Sequence, residues 1–291
     1  MSGIRSFSLV PGWYDFEFDG VRQAYEIAGS GAVCVVHSGG PGINSDYLRM
    51  PLLEQHLTMV YLDPIGTGRS DLLPGGDYSV STYARFSKAV IDHLGADQPY
   101  FLGHSHGGFV GLELAIRNPG LLAGLVAYST APVYNAELFE EATREMEAFV
   151  ARWPDQPDAE KARRAWRSAS YARNTLLVDR ESRIDWLRAI LPAYFGDYWK
   201  TVARTGPAAF DVTWDPARKD SDWDARRTLD RIDVPTLVIS GLYDVICSRR
   251  FSEEIHAGVP NAQMLQLNQS GHFGYLEQPD IFVQAIVEFT R

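Results

Sequence analysis

The feature that most constrains the fold is a glycine-rich turn at residues 103–108, which reads Gly-His-Ser-His-Gly-Gly. The residues before it, Pro99–Leu102, are typical of a short strand, and the apolar residues after it recur at helical spacing as far as Ile116. A strand therefore runs into a tight turn, and a helix leaves it. A serine with a glycine two positions away on each side predicts, in this context, a strained backbone that presents the Ser105 hydroxyl at the top of a sheet. An ordinary strand-to-helix turn with a solvent-facing serine is the alternative.

Two further strand ends carry the partners that a nucleophilic serine needs. Thr236–Gly241 reads as a buried strand followed by Asp244, and Gln263–Leu267 reads as a strand followed by the loop that contains His272. The carboxyl ends of parallel strands meet at one edge of an open sheet, where such folds bind their ligands. An imidazole can take the serine proton, and a carboxylate orients the imidazole and stabilises its charged form. The order serine, acid, histidine thus predicts a catalytic triad of Ser105, Asp244 and His272.

A second glycine-rich loop, Ser38–Gly42, follows the apolar strand Ala32–His37 and exposes several backbone amides. Acyl transfer needs such N–H donors for the oxyanion that develops in the transition state. The sequence predicts these donors to be the amides of Gly40 and of His106, the residue after the nucleophile. His104 and His106 are also spaced like a metal pair on a strand. No carboxylate or cysteine cluster accompanies them in the sequence, so no metal site is expected.

Strands and helices alternate along the rest of the chain, with one interruption. Ser6–Phe18 and Val21–Ala28 predict an antiparallel hairpin that turns at Asp19-Gly20. Residues 132–230 carry helical patterns only and are rich in tryptophan, which predicts a helical cap inserted after the sixth strand. Residues 1–131 and 231–291 would then form the core beneath it. The predicted cap helices are Ala136–Trp153, Ala159–Ala172, Arg183–Ile190 and a looser Tyr194–Phe210.

Composition excludes several classes of function. The chain of 291 residues has a formal net charge of −10, which disfavours a nucleic-acid surface. No apolar run approaches the ~20 residues that span a bilayer, and Met1–Val10 lacks the features of a secretory signal. The cysteines, Cys34 and Cys247, do not suggest a disulfide framework. We therefore expect a cytoplasmic protein that acts on a small molecule or short peptide, with no membrane or nucleic-acid partner.

Five stretches together resemble the α/β-hydrolase superfamily and, more narrowly, the proline iminopeptidase family and its relatives. Their order and spacing cover nearly the whole chain outside the cap. The resemblance implies an α/β-hydrolase fold with a mostly parallel central sheet, and a serine hydrolase that works through an acyl-enzyme without a cofactor. Its first implication is an aminopeptidase-like activity on a small amide or N-terminal residue. The matching stretches are Ser38–Gly42, Asp63–Ser70, Gly103–Gly108, Gly241–Asp244 and Ser270–His272.

The chain departs from the iminopeptidase pattern at positions that affect the substrate. Ser38 stands where the family has histidine, and His106 stands where it usually has tryptophan. The family holds the free amine of its substrate with cap glutamates, and Ala169 and Ser170 occupy the place of one of these. A carboxylesterase or lactonase for a small hydrophobic ester is therefore the alternative, and a ligand receptor with little turnover is another. Substrate contacts are expected from His37, Gly39, Trp166, Tyr194 and Trp199.

Four glutamates of the cap could replace the missing amine ligand. Their spacing is helical, however, and a charged helix face is more often solvated than functional. They are Glu137, Glu140, Glu141 and Glu145.

Overall fold

An eight-stranded sheet forms the centre of the protein in a computed structural model, which describes residues 9–168, 179–206 and 210–291. Across the sheet the strand order is β1-β2-β4-β3-β5-β6-β9-β10, and β7 pairs with β8 in a separate ribbon. The neighbours β1-β2 and β2-β4 are antiparallel, and the remaining pairs of the sheet are parallel. The predicted sheet, mostly parallel with an antiparallel start, is confirmed. The strands are β1 (Gly12–Phe18), β2 (Val21–Gly29), β3 (Ala32–His37), β4 (Leu57–Asp63), β5 (Tyr100–His104), β6 (Gly124–Tyr128), β7 (Val133–Tyr134), β8 (Trp223–Asp224), β9 (Thr236–Gly241) and β10 (Ala262–Leu267).

Burial explains the two kinds of strand in this sheet. Every residue of β4, β6 and β9 is buried, as expected of parallel strands that are covered on both faces. In β1, by contrast, half-buried and exposed residues alternate, because this strand lies at the edge of the sheet. The turn between β1 and β2 has positive φ at both Asp19 and Gly20, which is the backbone that tight hairpins favour.

Helices cover both faces of the sheet and form the cap. The cap contains α3 to α6 and lies between β6 and β9 in the sequence. None of the helices in the described part of the chain has the length and apolar composition needed to cross a bilayer. The helices are α1 (Val80–Leu94), α2 (His106–Arg117), α3 (Ala136–Arg152), α4 (Pro157–Ser168), α5 (Arg180–Ile190), α6 (Tyr198–Thr205), α7 (Arg249–Gly258), α8 (Gly274–Glu277) and α9 (Pro279–Phe289).

The cap helices lie where the periodicity predicts them, with different ends. Helix α5 begins at Arg180 rather than Arg183 because Asp179 and Ser182 form a capping box at its start. The last part of the predicted helix Ala159–Ala172 lies outside the described residues. So do residues 207–209 of the predicted Tyr194–Phe210 and the first residues of the predicted strand Ser6–Phe18.

The ribbon of β7 and β8 corrects the prediction that residues 132–230 carry helices only. In it Val133 pairs with Asp224 and Tyr134 with Trp223. Strands of two residues are too short to show an alternation of apolar and polar residues, so the sequence pattern could not indicate them.

The cap has a small apolar core of its own. Buried side chains from α3, α4 and α5, among them Phe149, Trp166 and Ile190, form one cluster that reaches the body of the protein at Val245. Full burial of such a side chain contributes about 1.5–3 kcal/mol to folding. The cap is therefore held over the carboxyl ends of the strands by apolar packing.

Candidate active site

Ser105 occupies the turn between β5 and α2 in a strained backbone conformation. Its φ is 55° and its ψ is −118°, a region that residues other than glycine rarely adopt. The turn is held by hydrogen bonds on both sides: the Ser105 N–H donates to the carbonyl of Tyr128 at 2.9 Å, and the Thr130 hydroxyl donates to the carbonyl of Ser105 at 2.8 Å. The conformation predicted from the glycine pattern is present.

The glycines around Ser105 leave no room for side chains. A Cβ atom at Gly103 would lie 2.1 Å from the carbonyl oxygen of Gly107, and one at Gly107 would lie 2.2 Å from that of His37. A Cβ at Gly108 would lie 2.3 Å from the Thr130 hydroxyl. These positions must be glycine for the turn to pack against β3 and the segment after β6.

Asp244 and His272 form a buried pair at the ends of β9 and β10. Nδ1 of His272 lies 2.9 and 2.8 Å from the two carboxylate oxygens of Asp244. The carboxylate also accepts the N–H groups of Ile246 and Cys247, each at 2.9 Å, which holds it in place. A carboxylate can only accept hydrogen bonds, so Nδ1 carries the proton and Nε2 of the neutral ring is free to accept another.

Glu277 ties the loop of His272 to the cap. Its carboxylate accepts the N–H of Gly271 at 2.7 Å and, on the cap side, those of Gly196 and Asp197 at 2.9 and 3.1 Å. Burial raises the pKa of Glu277, while these three N–H groups oppose the rise. One carboxylate thus positions the residue before His272 and the segment before α6 together.

Ser105 and His272 line the same cavity, which lies between the core and the cap. Its volume is about 540 Å³. The structure describes no hydrogen bond between Ser105 and His272; the pair in contact is His272 and Asp244. Apolar and aromatic side chains of the cap and of neighbouring loops form most of the wall: Phe109, Tyr134, Leu138, Phe139, Trp166, Trp186, Leu187, Leu191, Tyr194, Phe210, Val212, Ile246 and Phe273.

Three of the five predicted substrate contacts, Gly39, Trp166 and Tyr194, line this cavity. Within the described residues, His37 and Trp199 do not. His37 is buried behind the loop, where its Nδ1 lies 2.8 Å from the carbonyl oxygen of Ser38, and burial lowers its pKa to about 4. Trp199 packs on the ring of Trp153, with the centroids 5.0 Å apart. Ala169 and Ser170, at the place of the iminopeptidase glutamate, lie outside the described residues.

A chain of hydrogen bonds that sequence reasoning missed joins the glycine loop to the histidine loop. The Gly39 N–H donates to the hydroxyl of Tyr47 at 2.7 Å, and that hydroxyl lies 2.7 Å from Nδ1 of His104. Nε2 of His104 lies 3.1 Å from the carbonyl oxygen of His272. The bonds are all satisfied when Tyr47 donates to Nδ1 and a neutral His104 donates from Nε2. Burial, with the neighbouring His272, holds the pKa of His104 well below its usual range, so His104 stays neutral.

The two histidines that flank Ser105 have different surroundings. His104 belongs to the chain just described, whereas the His106 ring packs against Tyr83, with the centroids 4.9 Å apart. Burial holds the pKa of His106 well below its usual range. As the first residue of α2, His106 has a backbone N–H without a partner inside the helix.

The amide of Gly40 is the free donor of the glycine loop. The Gly39 N–H is taken by Tyr47, and no described residue accepts a hydrogen bond from the Gly40 N–H. Gly40 has a φ of 124°, a conformation suited to glycine. Gly40 and Ser105 both line the cavity.

Cys247 is a further cavity residue that the sequence did not single out. Its thiol is buried beside Ser105, and it follows Asp244 by three residues. Burial and the charge of Asp244 raise the pKa of the thiol well above its usual range, while Ser105 opposes the rise. The thiol is therefore protonated and acts as a small apolar neighbour of the serine.

The sequence pattern of the alpha/beta hydrolase fold family matches residues 31–279. The match covers most of the chain, and it includes the strands that carry Ser105, Asp244 and His272. The protein belongs to the α/β hydrolase fold family.

Relatives within this family have different names. The chain is similar to a proline iminopeptidase of Thermoplasma volcanium, with 25% identity over 87% of this chain and 86% of that protein. A putative carbamate hydrolase, RutD, of Pseudomonas savastanoi is 28% identical over 89% of this chain and 94% of its own length. The structure of an esterase, EaEST, from Exiguobacterium antarcticum superimposes with a TM-score of 0.68 over 93% of this chain and 96% of the esterase, at 21% identity. That last likeness concerns the fold alone.

Proposed function

We propose that the protein is a serine hydrolase and that Ser105 is its nucleophile. The observation that carries this proposal is the Asp244–His272 pair, whose free ring nitrogen belongs to the same cavity wall as a serine held in a strained turn. Catalytic hydrogen bonds commonly tighten only in the complex with substrate, so the contact from Ser105 to His272 would form there.

The reaction follows the roles of these groups. His272 takes the proton of Ser105 as the hydroxyl oxygen attacks the carbonyl carbon, and Asp244 stabilises the resulting imidazolium. The imidazolium then gives the proton to the leaving group, which departs and leaves an acyl-enzyme. Water attacks the acyl group with His272 again as the base, and the acid product is released.

The oxyanion would be held by two backbone amides. The Gly40 N–H is free in the glycine loop, and the His106 N–H lies at the start of α2, where the helix dipole also favours negative charge. Loss of one such donor typically lowers turnover about 10²- to 10³-fold.

The cavity wall favours an apolar acyl or alkyl group over a free amine. Asp220 is the one carboxylate among the described residues that line it, and this group is paired with Arg218 at 2.9 Å. None of the four cap glutamates belongs to the described cavity wall. Glu137 pairs with Arg226 and Arg250, at 3.0 and 2.8 Å. We therefore propose a carboxylesterase or lactonase activity on a small, largely hydrophobic ester.

An aminopeptidase is the second candidate. The relative of Thermoplasma volcanium bears the name proline iminopeptidase and covers most of this chain. The same nucleophile and histidine would serve both reactions, so substrate recognition decides between them.

Matched substrates test the proposal. A p-nitrophenyl ester of butyrate, the free-amine p-nitroanilides of proline and alanine, and N-acetyl-alanine p-nitroanilide are offered to the wild type, to Ser105→Ala and to the control Ser221→Ala. Ser221 is an exposed serine of the cap. We expect ester turnover by the wild type and the control, and a loss of about 10⁴-fold or more in Ser105→Ala.

Turnover of the free-amine anilides alone would replace the esterase by the aminopeptidase. A wild type that cleaves none of these substrates, and in which a fluorophosphonate does not label Ser105, would overturn the hydrolase and favour a receptor. Labelling of Ser105 with slow turnover would leave the nucleophile in place and show that the substrate is a different one.

A further inference from the structure

Arg183 of α5 brings a guanidinium into the wall of an otherwise apolar cavity. Its Nε is fully buried and has no hydrogen-bond partner. The guanidinium carbon lies 4.5 Å from the centroid of a Trp214 ring. One terminal nitrogen would lie 4.0 Å from a Cβ placed on Gly42, so the group sits beside the glycine loop.

No carboxylate of the described residues lies within salt-bridge distance of Arg183. Asp220 acts on it from further away, and the carboxylate of Asp220 is already hydrogen-bonded to Arg218 at 2.9 Å. Residues 1–8, 169–178 and 207–209, which the structure does not describe, contain no aspartate or glutamate. The chain itself therefore has no further acidic side chain there that could neutralise Arg183.

A guanidinium remains charged at neutral pH even where burial and a neighbouring Arg218 lower its pKa, as they do for Arg183. Removing a charge from water without a partner is costly, so such groups are normally paired. The planar fork of N–H donors matches a carboxylate, with which it can form two parallel hydrogen bonds. An unpaired arginine in a cavity wall thus indicates a ligand that supplies the anion.

We propose that Arg183 binds a carboxylate of the substrate, so that the favoured substrate is an ester with an apolar segment that ends in a carboxylate. This proposal rests on the proposed hydrolase function and names its substrate class. Catalysis stays with Ser105 and His272, and the ion pair would position the apolar segment between α5 and the glycine loop.

The reach of this site is limited. Gly42 is two residues from Gly40, and consecutive Cα atoms are about 3.8 Å apart, so the guanidinium lies within roughly 13 Å of the proposed oxyanion donor. Half-esters of linear dicarboxylic acids, from succinate to suberate, sample the lengths within this limit. Their p-nitrophenyl esters place the carboxylate on the acyl side, and 4-carboxyphenyl butyrate places it on the leaving group.

The test compares each charged ester with its neutral methyl ester in wild type, Arg183→Gln, Arg183→Lys and the control Arg188→Gln. Arg188 lies on the same helix but is exposed and pairs with Asp185. We expect the wild type to favour at least one charged ester, and Arg183→Gln to lower the ratio of kcat/KM, charged over neutral, about 10- to 100-fold. The loss should lie mainly in KM, Arg183→Lys should restore part of it, and Arg188→Gln should keep the wild-type ratio.

A wild type that hydrolyses charged and neutral esters equally well, with the same ratio in Arg183→Gln, would overturn the carboxylate site and leave the hydrolase standing. If no ester is hydrolysed, the proposed function fails, and calorimetric binding of glutarate and suberate to wild type and Arg183→Gln decides the site separately. Binding that Arg183→Gln abolishes would support it, and absence of binding to the wild type would overturn it.

Discussion

The strand ends of the core and the cap hold their side chains by different means. At the strand ends, hydrogen bonds and close backbone contacts set each group: the Asp244 carboxylate accepts from His272 and from two backbone amides. In the cap, rings pack on rings, as Trp166 does on Trp186 with centroids 6.0 Å apart. Hydrogen bonds tolerate small displacements poorly, whereas apolar packing accepts changes of shape. The core should therefore determine the reaction, and the cap the substrate.

The largest effect is expected from the core, in Asp244→Asn. The amide would favour the wrong tautomer of His272 and would not stabilise the imidazolium, so kcat should fall about 10⁴-fold with little change in KM. Steady-state kinetics on the preferred ester measure this, with the exposed Asp233→Asn as the control. A kcat within tenfold of the wild type would show that Asp244 is not the orienting acid.

A smaller effect is expected where the core bonds connect its two loops, in Tyr47→Phe. This change removes the acceptor of the Gly39 N–H and the donor to His104, and it leaves both buried groups unpaired. We expect about a tenfold loss of kcat and a cost of roughly 1–3 kcal/mol in the free energy of unfolding. Kinetics and thermal unfolding are compared with Tyr100→Phe, at the start of β5.

A lower stability of Tyr47→Phe with unchanged kcat would mean that the hydrogen-bond chain serves folding alone. A loss of kcat at temperatures where the variant is fully folded would instead assign it to positioning of the two loops.

The smallest effect, and one of a different kind, is expected from the cap, in Leu187→Ala. The change enlarges the cavity by a few carbon atoms, so preference should move by roughly tenfold or less towards longer acyl chains. A series of p-nitrophenyl esters measures the optimum chain length, with Ile184→Ala on the same helix as the control. If Leu187→Ala lowered kcat on every ester alike, the division between core and cap would not hold.

Local patterns predict the core well. The strands Ala32–His37 and Thr236–Gly241 were predicted with the ends that the structure has. Both are uninterrupted apolar runs that stop at glycine-rich segments, so composition and length agree. The turn of Ser105 was predicted for a similar reason, because its glycines are required by contacts within a few residues and by the strand beneath.

The parts that were missed depend on contacts between distant residues. Tyr47 meets His104 across 57 positions in the chain, and nothing near either residue indicates the other. Arg183 has no distinctive neighbours in the sequence; what sets it apart is the lack of a partner in the folded protein. The ribbon of Val133–Tyr134 with Trp223–Asp224 is too short to leave a pattern.

That ribbon has a consequence for how such proteins diversify. It pairs the two stretches of backbone at which the cap leaves and rejoins the body, and the Ala225 N–H donates to the Pro132 carbonyl at 2.9 Å beside it. The strands on either side, β6 and β9, are also neighbours in the sheet. Because both junctions lie side by side, a cap of another length or sequence can be grafted there as a cassette without shifting the register of any strand. New specificities can thus arise by exchange of one insert while the chemical machinery is inherited intact.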